Sequence, residues 1–435
     1  MIKRKNKKIP FSLIMFVMGM SLHLFNESLT ALRMLTMYLG YAGYFCFFFS
    51  FLFAIKEGNL KLLRHKYRNW LFIICLYSLF MVVHGILLQH PLKYLLSDIT
   101  PYFFFAGLLV SANKNTWNAI DRMIYFHFIA VLSLVFYIWS YHGLAVSISN
   151  TFAMVEGDTT PSLYWAWGLL HTWPYMFLTY KDGSLFRKLI TSVGILVFII
   201  LAFLFAKRNP FLLLIMIFLL KMVTDIAIKK ESIKKTTSLK LNWRKYIGII
   251  CIVVVSILII RMIIARASQL TGFDYYEVLL SRLTESGDVG STAMDNYRLK
   301  EGREAIFEQA ETYQVLIGQG LGSVVDRSQE GQQNQTIIES GMANIFLKGG
   351  VIFTILWYLI VLYILKDLFS KKKDSTVICQ LLIIVFALLS LVSVYFSMFA
   401  HVSTGYLMCW LGRCMARIEE TGTEIETNED INYCT

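Results

Sequence analysis

Long apolar runs recur along almost the whole chain, and short polar stretches separate them. A helix that crosses a bilayer needs about 20 mostly apolar residues. By that measure twelve runs qualify, at roughly 10–26, 32–55, 69–89, 97–112, 121–143, 162–180, 188–206, 210–228, 246–264, 342–369, 376–397 and 399–417. The fourth is short and contains Pro101, and the last two are divided only by a brief break near Phe399. The pattern changes once. Residues 265–341 are soluble in character, with Asp, Glu, Arg, Gln and Gly throughout. Within them, 295–313 has helical period: Leu299, Ile306, Phe307, Ala310 and Tyr313 share one face, and Glu301, Glu304, Glu308 and Glu311 the opposite one. Arg303 falls on the apolar side and Arg298 at the boundary. Gly318, Gly320 and Gly322 then predict a tight, backbone-exposed turn.

Charge placement orients these runs. If the N-terminus is inside, the inner segments are 1–9, 56–68, 113–122, 181–188, 229–245, 366–373 and 413–417, and every one of them is basic. The short segments of the other side hold only Lys93, Lys207 and Arg208. An error of one helix would invert part of that alternation, so the positive-inside bias predicts twelve crossings with both termini in the cytoplasm. The expected architecture is an all-α polytopic membrane protein. Its parts are helices 1–9 in residues 1–264, an extracytoplasmic loop with short helices at 265–341, helices 10–12 at 342–417, and an acidic, disordered cytoplasmic tail at 418–435.

Composition agrees. Of 435 residues 56% are hydrophobic and only 16% charged, well below the quarter usual for soluble domains. The net charge of +12 lies in short loops between apolar runs, which argues topology and excludes a nucleic-acid partner. The basic start lacks a small-residue cleavage site after it and reads as a retained anchor. None of the seven cysteines lies in 265–341, so no disulfide framework is expected there, and no spacing suggests a metal site. They read as small buried apolar residues.

Few residues stand out as carriers of chemistry. Lys207 and Arg208 end an apolar run on the outer side, against the charge bias, with Asn209-Pro210 opening the next helix. They read either as an anion clamp for phosphate or pyrophosphate, or as helix-end cations reaching to lipid headgroups. Arg303 on an apolar face needs a ligand or an acidic partner such as Glu339 or Asp326. Glu339, where the loop returns to the membrane, is placed to act as a general base on a hydroxyl, or is a solvated loop carboxylate. His84, His127, His171 and His401 read as packed or interfacial. The run Gly318-Gln-Gly-Leu-Gly lacks the preceding strand and the following Gly-Lys-Ser/Thr of a nucleotide loop.

At these residues the chain resembles the O-antigen ligase/polymerase superfamily, especially its Wzy-type polysaccharide polymerase branch. Ala206-Lys207-Arg208-Asn209-Pro210 resembles the short motif that opens a helix upstream of the large loop in that family. Arg298 or Arg303, then Phe307, then Gly318-Gln319-Gly320 resembles the order within the loop. Ala343-Asn344 through Gly349-Gly350 resembles its closing motif, except that the ligases keep a His where this chain has Ala343. The missing His favours polymerase over ligase and leaves Glu339 as the substitute base. The resemblance implies transfer of a growing glycan from polyprenyl pyrophosphate to a hydroxyl of a second lipid-linked repeat unit, with no cofactor and no metal. It implies Arg208, Arg298, Arg303 and Glu339 as catalytic residues, and Lys207, Asn344, Gly318 and Gly320 as substrate-binding ones. The implied partners are the lipid-linked oligosaccharide, membrane lipid, a flippase and a chain-length regulator, in the cytoplasmic membrane of a bacterium. The rival readings are a lipid-linked oligosaccharide flippase or transporter, a ligase-like glycan transferase, and a non-enzymatic assembly or sensor protein that uses the loop for docking.

Overall fold

The computed structural model describes residues 9–32, 37–142, 185–204, 311–324, 341–370 and 402–416, with single helical positions at 258, 261, 262, 265, 266 and 269. These residues are almost wholly helical. The helices are α1 (Phe11–Ala31), α2 (Met37–Lys56), α3 (His65–Leu87), α4 (Leu92–Ile99), α5 (Phe105–Ser111), α6 (Trp117–His142), α7 (Leu185–Leu204), α8 (Thr312–Ile317), α9 (Gly341–Ser370) and α10 (Val402–Met415). Short 3-10 turns at Asn59–Leu62, Thr100–Phe104 and Lys114–Thr116 join some of them. Among the described residues no strand forms; one isolated bridge pairs Leu63 with Ala416.

Among the described residues six stretches are long and apolar enough to cross a membrane: Phe11–Thr30, Tyr38–Lys56, His65–Leu87, Leu92–Ser111, Lys114–Tyr141 and Met342–Ile364. The protein is therefore an all-α membrane protein. Its helices expose apolar surface that no soluble fold leaves bare. On α3, Phe72, Leu76, Leu79, Val83 and Ile86 are exposed at helical spacing, while Trp70, Leu71, Ile74 and Met81 are buried. The predicted runs at 162–180, 210–228 and 376–397 and the tail lie outside the described residues.

The fourth predicted run is not one helix. α4 stops at Ile99, a 3-10 turn carries Thr100–Phe104, and α5 begins at Phe105. Pro101 falls at the start of that turn, and proline, having no amide donor, does not continue a regular helix. The predicted amphipathic helix over 295–313 also needs correction at its end. Glu311 has extended backbone (φ −69°, ψ 156°) and caps a new helix, α8. Its amide donates to the Gln314 side chain at 2.9 Å in a capping box. Tyr313 thus lies in the first turn of α8, 44% exposed, rather than on the apolar face of a longer helix.

Helix directions follow from their contacts. Ser12 at the start of α1 bonds Glu57 just past the end of α2, so the two are antiparallel. α3 and α9 are also antiparallel: Lys66 meets Asp367 at 2.7 Å, the Trp70 indole donates to the Leu356 carbonyl at 2.8 Å, and Tyr77 reaches Gly349. α10 runs parallel to α5, with Gly405 beside Phe104 and Gly412 on the Leu108 carbonyl; glycines at this seam let the backbones touch. α7 runs parallel to α6, with Arg187 over the Tyr125 ring and Gly194 against Phe128.

One end of the bundle is consequently basic. It gathers Lys56, Lys61, Arg64, Lys66, Arg68, Lys114, Arg122, Arg187, Lys188, Lys366 and Arg413. Within α1–α10 the opposite end carries Lys93 and, deeper, Lys348. At the basic end Arg64 pairs with Asp367 at 2.7 Å and Arg413 with Asp121 at 2.6 Å. Midway, His127 of α6 ties α1 to α10: its Nε2 lies 3.2 Å from Ser21 Oγ and its Nδ1 2.7 Å from the Tyr406 hydroxyl. His127 is thus a packed residue with partners, as the sequence led us to expect. Cys46 and Cys409 are free and buried, Cys75 is free and half-buried, and Cys414 is buried.

Candidate functional site

The end opposite the basic one is organised around residues 318–323. Gly318, Gly320 and Gly322 all have positive φ (83°, 79° and 83°), so alternate residues take conformations that L side chains avoid. The result is a narrow, kinked ribbon of backbone that slides between α9, α3 and α4. The sequence reading had this turn exposed; instead Gly318 and residues 320–323 are buried. The reason lies in the backbone. A buried amide must find an acceptor, and here five consecutive ones do. Gly318 N–H donates to Gln314 O (2.7 Å), Gln319 to Leu347 O (2.8 Å), Gly320 to Lys348 O (3.0 Å), Leu321 to Met81 O (3.0 Å), and Gly322 to Asp98 Oδ2 (2.6 Å). No side chain fits at the glycines. A Cβ on Gly320 would lie 2.6 Å from Gly85 N, and one on Gly318 would strike the Lys348 carbonyl.

The acceptors exist because α9 is broken. Gly350 has φ 66° and ψ −168°, which interrupts the helix between Lys348 and Val351. Leu347 and Lys348 therefore lose their own intrahelical donors, and Gln319 and Gly320 supply replacements. The Tyr77 hydroxyl closes the same gap, donating toward Gly349 O at 3.1 Å and Ile317 O at 3.4 Å. Discontinuous helices at membrane depth are tolerated where other protein groups satisfy the freed backbone.

Two opposite charges meet at this break. Lys348 Nζ lies 2.6 Å from Asp98 Oδ2, and each side chain is only 8% exposed. The same ammonium donates to Ser323 O at 2.7 Å. His90 Nδ1 lies 2.9 Å from Leu321 O, donating to it. α4, α9 and the segment after α3 thus each place a polar side chain on the ribbon. Ser323 Oγ, His84 Nδ1 and Trp357 Nε1 are buried nearby or along α3 and α9. Among the described residues no group of His, Cys, Asp or Glu is arranged to hold a metal ion.

The expected site residues divide sharply. Gly318, Gly320 and Asn344 come together here. Asn344 is buried one turn before Lys348, whose carbonyl Gly320 binds. Lys207, Arg208, Arg298, Arg303 and Glu339 lie outside the described residues. The sequence reading did not single out Asp98, Lys348, His90 or Tyr77. The signal for the first two was present: Asp98 is the lone acid between Glu57 and Asp121, and Lys348 the lone charge between Glu339 and Lys366. Isolated opposite charges in apolar runs demand partners. The chain matches no protein-family model, no curated protein and no solved structure.

Proposed function

We propose that this protein polymerises polyprenyl-pyrophosphate-linked oligosaccharide repeat units at the outer face of the bacterial cytoplasmic membrane. One observation carries the reading. The Gly-x-Gly turn and the Asn344–Gly350 return, two of the motifs on which the resemblance rests, lie far apart in sequence yet bond directly, at the end away from the basic face. With the basic end in the cytoplasm, that end is extracytoplasmic, the chain crosses twelve times, and both termini are inside. A sugar polymer made for export is assembled on that side.

In the reaction proposed, an acceptor hydroxyl oxygen forms a bond to the anomeric carbon of the donor glycan. The bond from that carbon to the pyrophosphate oxygen breaks, and polyprenyl pyrophosphate leaves with the electron pair. Arg208 with Arg298 or Arg303 neutralises the charge that accumulates on the leaving group. Glu339 takes the acceptor proton. Nothing in this sequence of events calls for a nucleotide or a metal.

The test is complementation of a deletion strain, with lipid-linked glycans sized by electrophoresis. Wild type restores long polymer. Arg208→Ala, Arg303→Ala and Glu339→Ala are expected to express normally while single repeat units accumulate on lipid. The broken helix favours a second reading, a flippase or transporter, since such proteins use discontinuous helices at their substrate sites. Normal polymer length with failed export would establish that reading in place of ours, and normal length with failed attachment would point to a ligase. Topology has its own check. A cysteine placed at Ser328 is expected to react with a membrane-impermeant maleimide added to intact cells; protection until the membrane is opened would reverse the orientation.

A further inference from the structure

We propose that Asp98 and Lys348 are positioning residues, a buried charge pair that clamps the ribbon 318–323 into the membrane bundle and so sets the place of the outer site. The clamping itself stands on geometry alone. Its consequence for turnover rests on the polymerase reading above.

The argument starts from what the two charges touch. A bare ion pair between α4 and α9 would need nothing from the ribbon. Here a single carboxylate oxygen, Asp98 Oδ2, accepts from both Lys348 Nζ and Gly322 N–H, each at 2.6 Å. The ammonium uses another proton on Ser323 O at 2.7 Å. The ribbon is therefore a third member of the cluster, bonded once to the anion and once to the cation. The carbonyls of Gln314, Leu347, Lys348 and Met81 accept neutral bonds from the ribbon, and the His90 ring donates one to it. Charged hydrogen bonds are about twice as strong as neutral ones, so these two buried contacts hold the ribbon about as firmly as the backbone bonds of 318–321 together.

Placement supports positioning over simple stability. An intramembrane charge is costly, and a purely structural helix contact is made as well by apolar packing. Leu95 of α4, Ile345 of α9 and Leu321 of the ribbon all belong to the same buried apolar core. What apolar packing cannot do is fix the register of a backbone strip along its own length. Two oppositely charged contacts on adjacent residues, Gly322 and Ser323, extend to its far end the register that the backbone bonds of Gln319, Gly320 and Leu321 set at the other. The strip so registered contains the Gly-x-Gly turn, and its other side is sealed to the break in α9, one turn from Asn344.

The test separates the clamp from folding. Ser323 is buried and its hydroxyl has no hydrogen-bond partner among the described residues, so Ser323→Cys gives a reporter thiol with little expected disturbance. Full-length protein in membranes is treated with an impermeant maleimide, with the same variants lacking that cysteine as background for the native thiols. In the parent, labelling is expected to be slow. Asp98→Asn and Lys348→Met should raise the rate at least tenfold, but each leaves a buried group without its partner and either may fail to fold. The double variant Asp98→Asn/Lys348→Met removes both charges together. It is expected to keep the parent's melting temperature within a few degrees and still to label at least tenfold faster. Asp98→Glu keeps the charge and should label more slowly than Asp98→Asn.

Labelling of the double variant at the parent's rate would overturn the clamp. Turnover is then read with purified protein and lipid-linked repeat units. A tenfold fall in maximal rate, with the half-saturating substrate concentration changed less than twofold, is the expected signature of misplacement. Fast labelling with undiminished turnover would leave the clamp but overturn its positioning role. If Arg208→Ala also polymerises normally, the polymerase reading falls while the labelling result stands.

Discussion

Gly318→Ala should cost the protein about 2–6 kcal/mol, enough to lose most of the folded yield. Two effects add. At φ 83° and ψ 173° the residue occupies a region that only glycine enters readily, so any L side chain is strained there by roughly 1–3 kcal/mol. Its new methyl group would also be driven into the Lys348 carbonyl and to 2.5 Å from Gly349 N, backbone atoms at the break in α9 that cannot step aside. Overpacking of that kind adds roughly another 1–3 kcal/mol. The measurement is thermal melting in detergent, followed by size-exclusion. Leu316→Ala, only two residues away but 55% exposed, is the control and should melt near wild type. Equal melting of the two variants would mean the ribbon is not seated as described.

The second large effect lies at the opposite, basic end. Asp367→Asn is expected to destabilise by roughly 2–3 kcal/mol, somewhat below the usual figure for a broken buried pair because its cationic partners retain partial access to water. Asp367 is 5% exposed and carries Arg64 at 2.7 Å, Lys66 at 2.7 Å, and a hydrogen bond donated by the fully buried Tyr67 hydroxyl. The Arg64 and Lys66 side chains are 21% and 33% exposed, which is the access meant. Burial by itself would raise the Asp367 carboxyl. The hydrogen bonds from Lys66 and Tyr67 and the charges of Arg64 and Lys66 outweigh it and hold the group below its usual value. The sign for pH follows. A depressed carboxyl stabilises the folded state fully above the unfolded value of about 4 and loses that contribution as pH falls through the lower folded value. Wild type should therefore lose melting temperature more steeply than Asp367→Asn below about pH 4. Parallel curves in acid would show that the carboxylate is not held as its geometry indicates.

Much of the architecture could be read from hydropathy alone. The runs at 10–26, 32–55, 69–89, 121–143, 188–206 and 342–369 each coincide with a helix to within a few residues, because bilayer thickness sets their length. Pro101 was visible as an obstacle, but its outcome, two short helices and a 3-10 turn, depends on packing that periodicity does not encode. The site was legible as motifs and not as a mechanism of assembly. Gly318, Gly320 and Asn344 were recognised, yet the turn was expected to face solvent, since glycine spacing reports backbone conformation and not what lies against it. Its burial is decided by acceptors at Leu347, Lys348, Met81 and Asp98, on three separate helices. Glu311 shows the same limit in miniature: helical period runs through it, yet its backbone is extended and it caps α8 in a capping box with Gln314.

The break at Gly350 also bears on how the chain is built. As α9 enters the bilayer, the carbonyls of Leu347 and Lys348 have no donors of their own and no water to replace them. Their partners sit on a segment synthesised earlier, on the far side of residues 325–340, which must already be at hand. The last helices therefore cannot settle independently of the loop before them. Seating of α9 at its break is thereby coupled to delivery of the 318–323 segment.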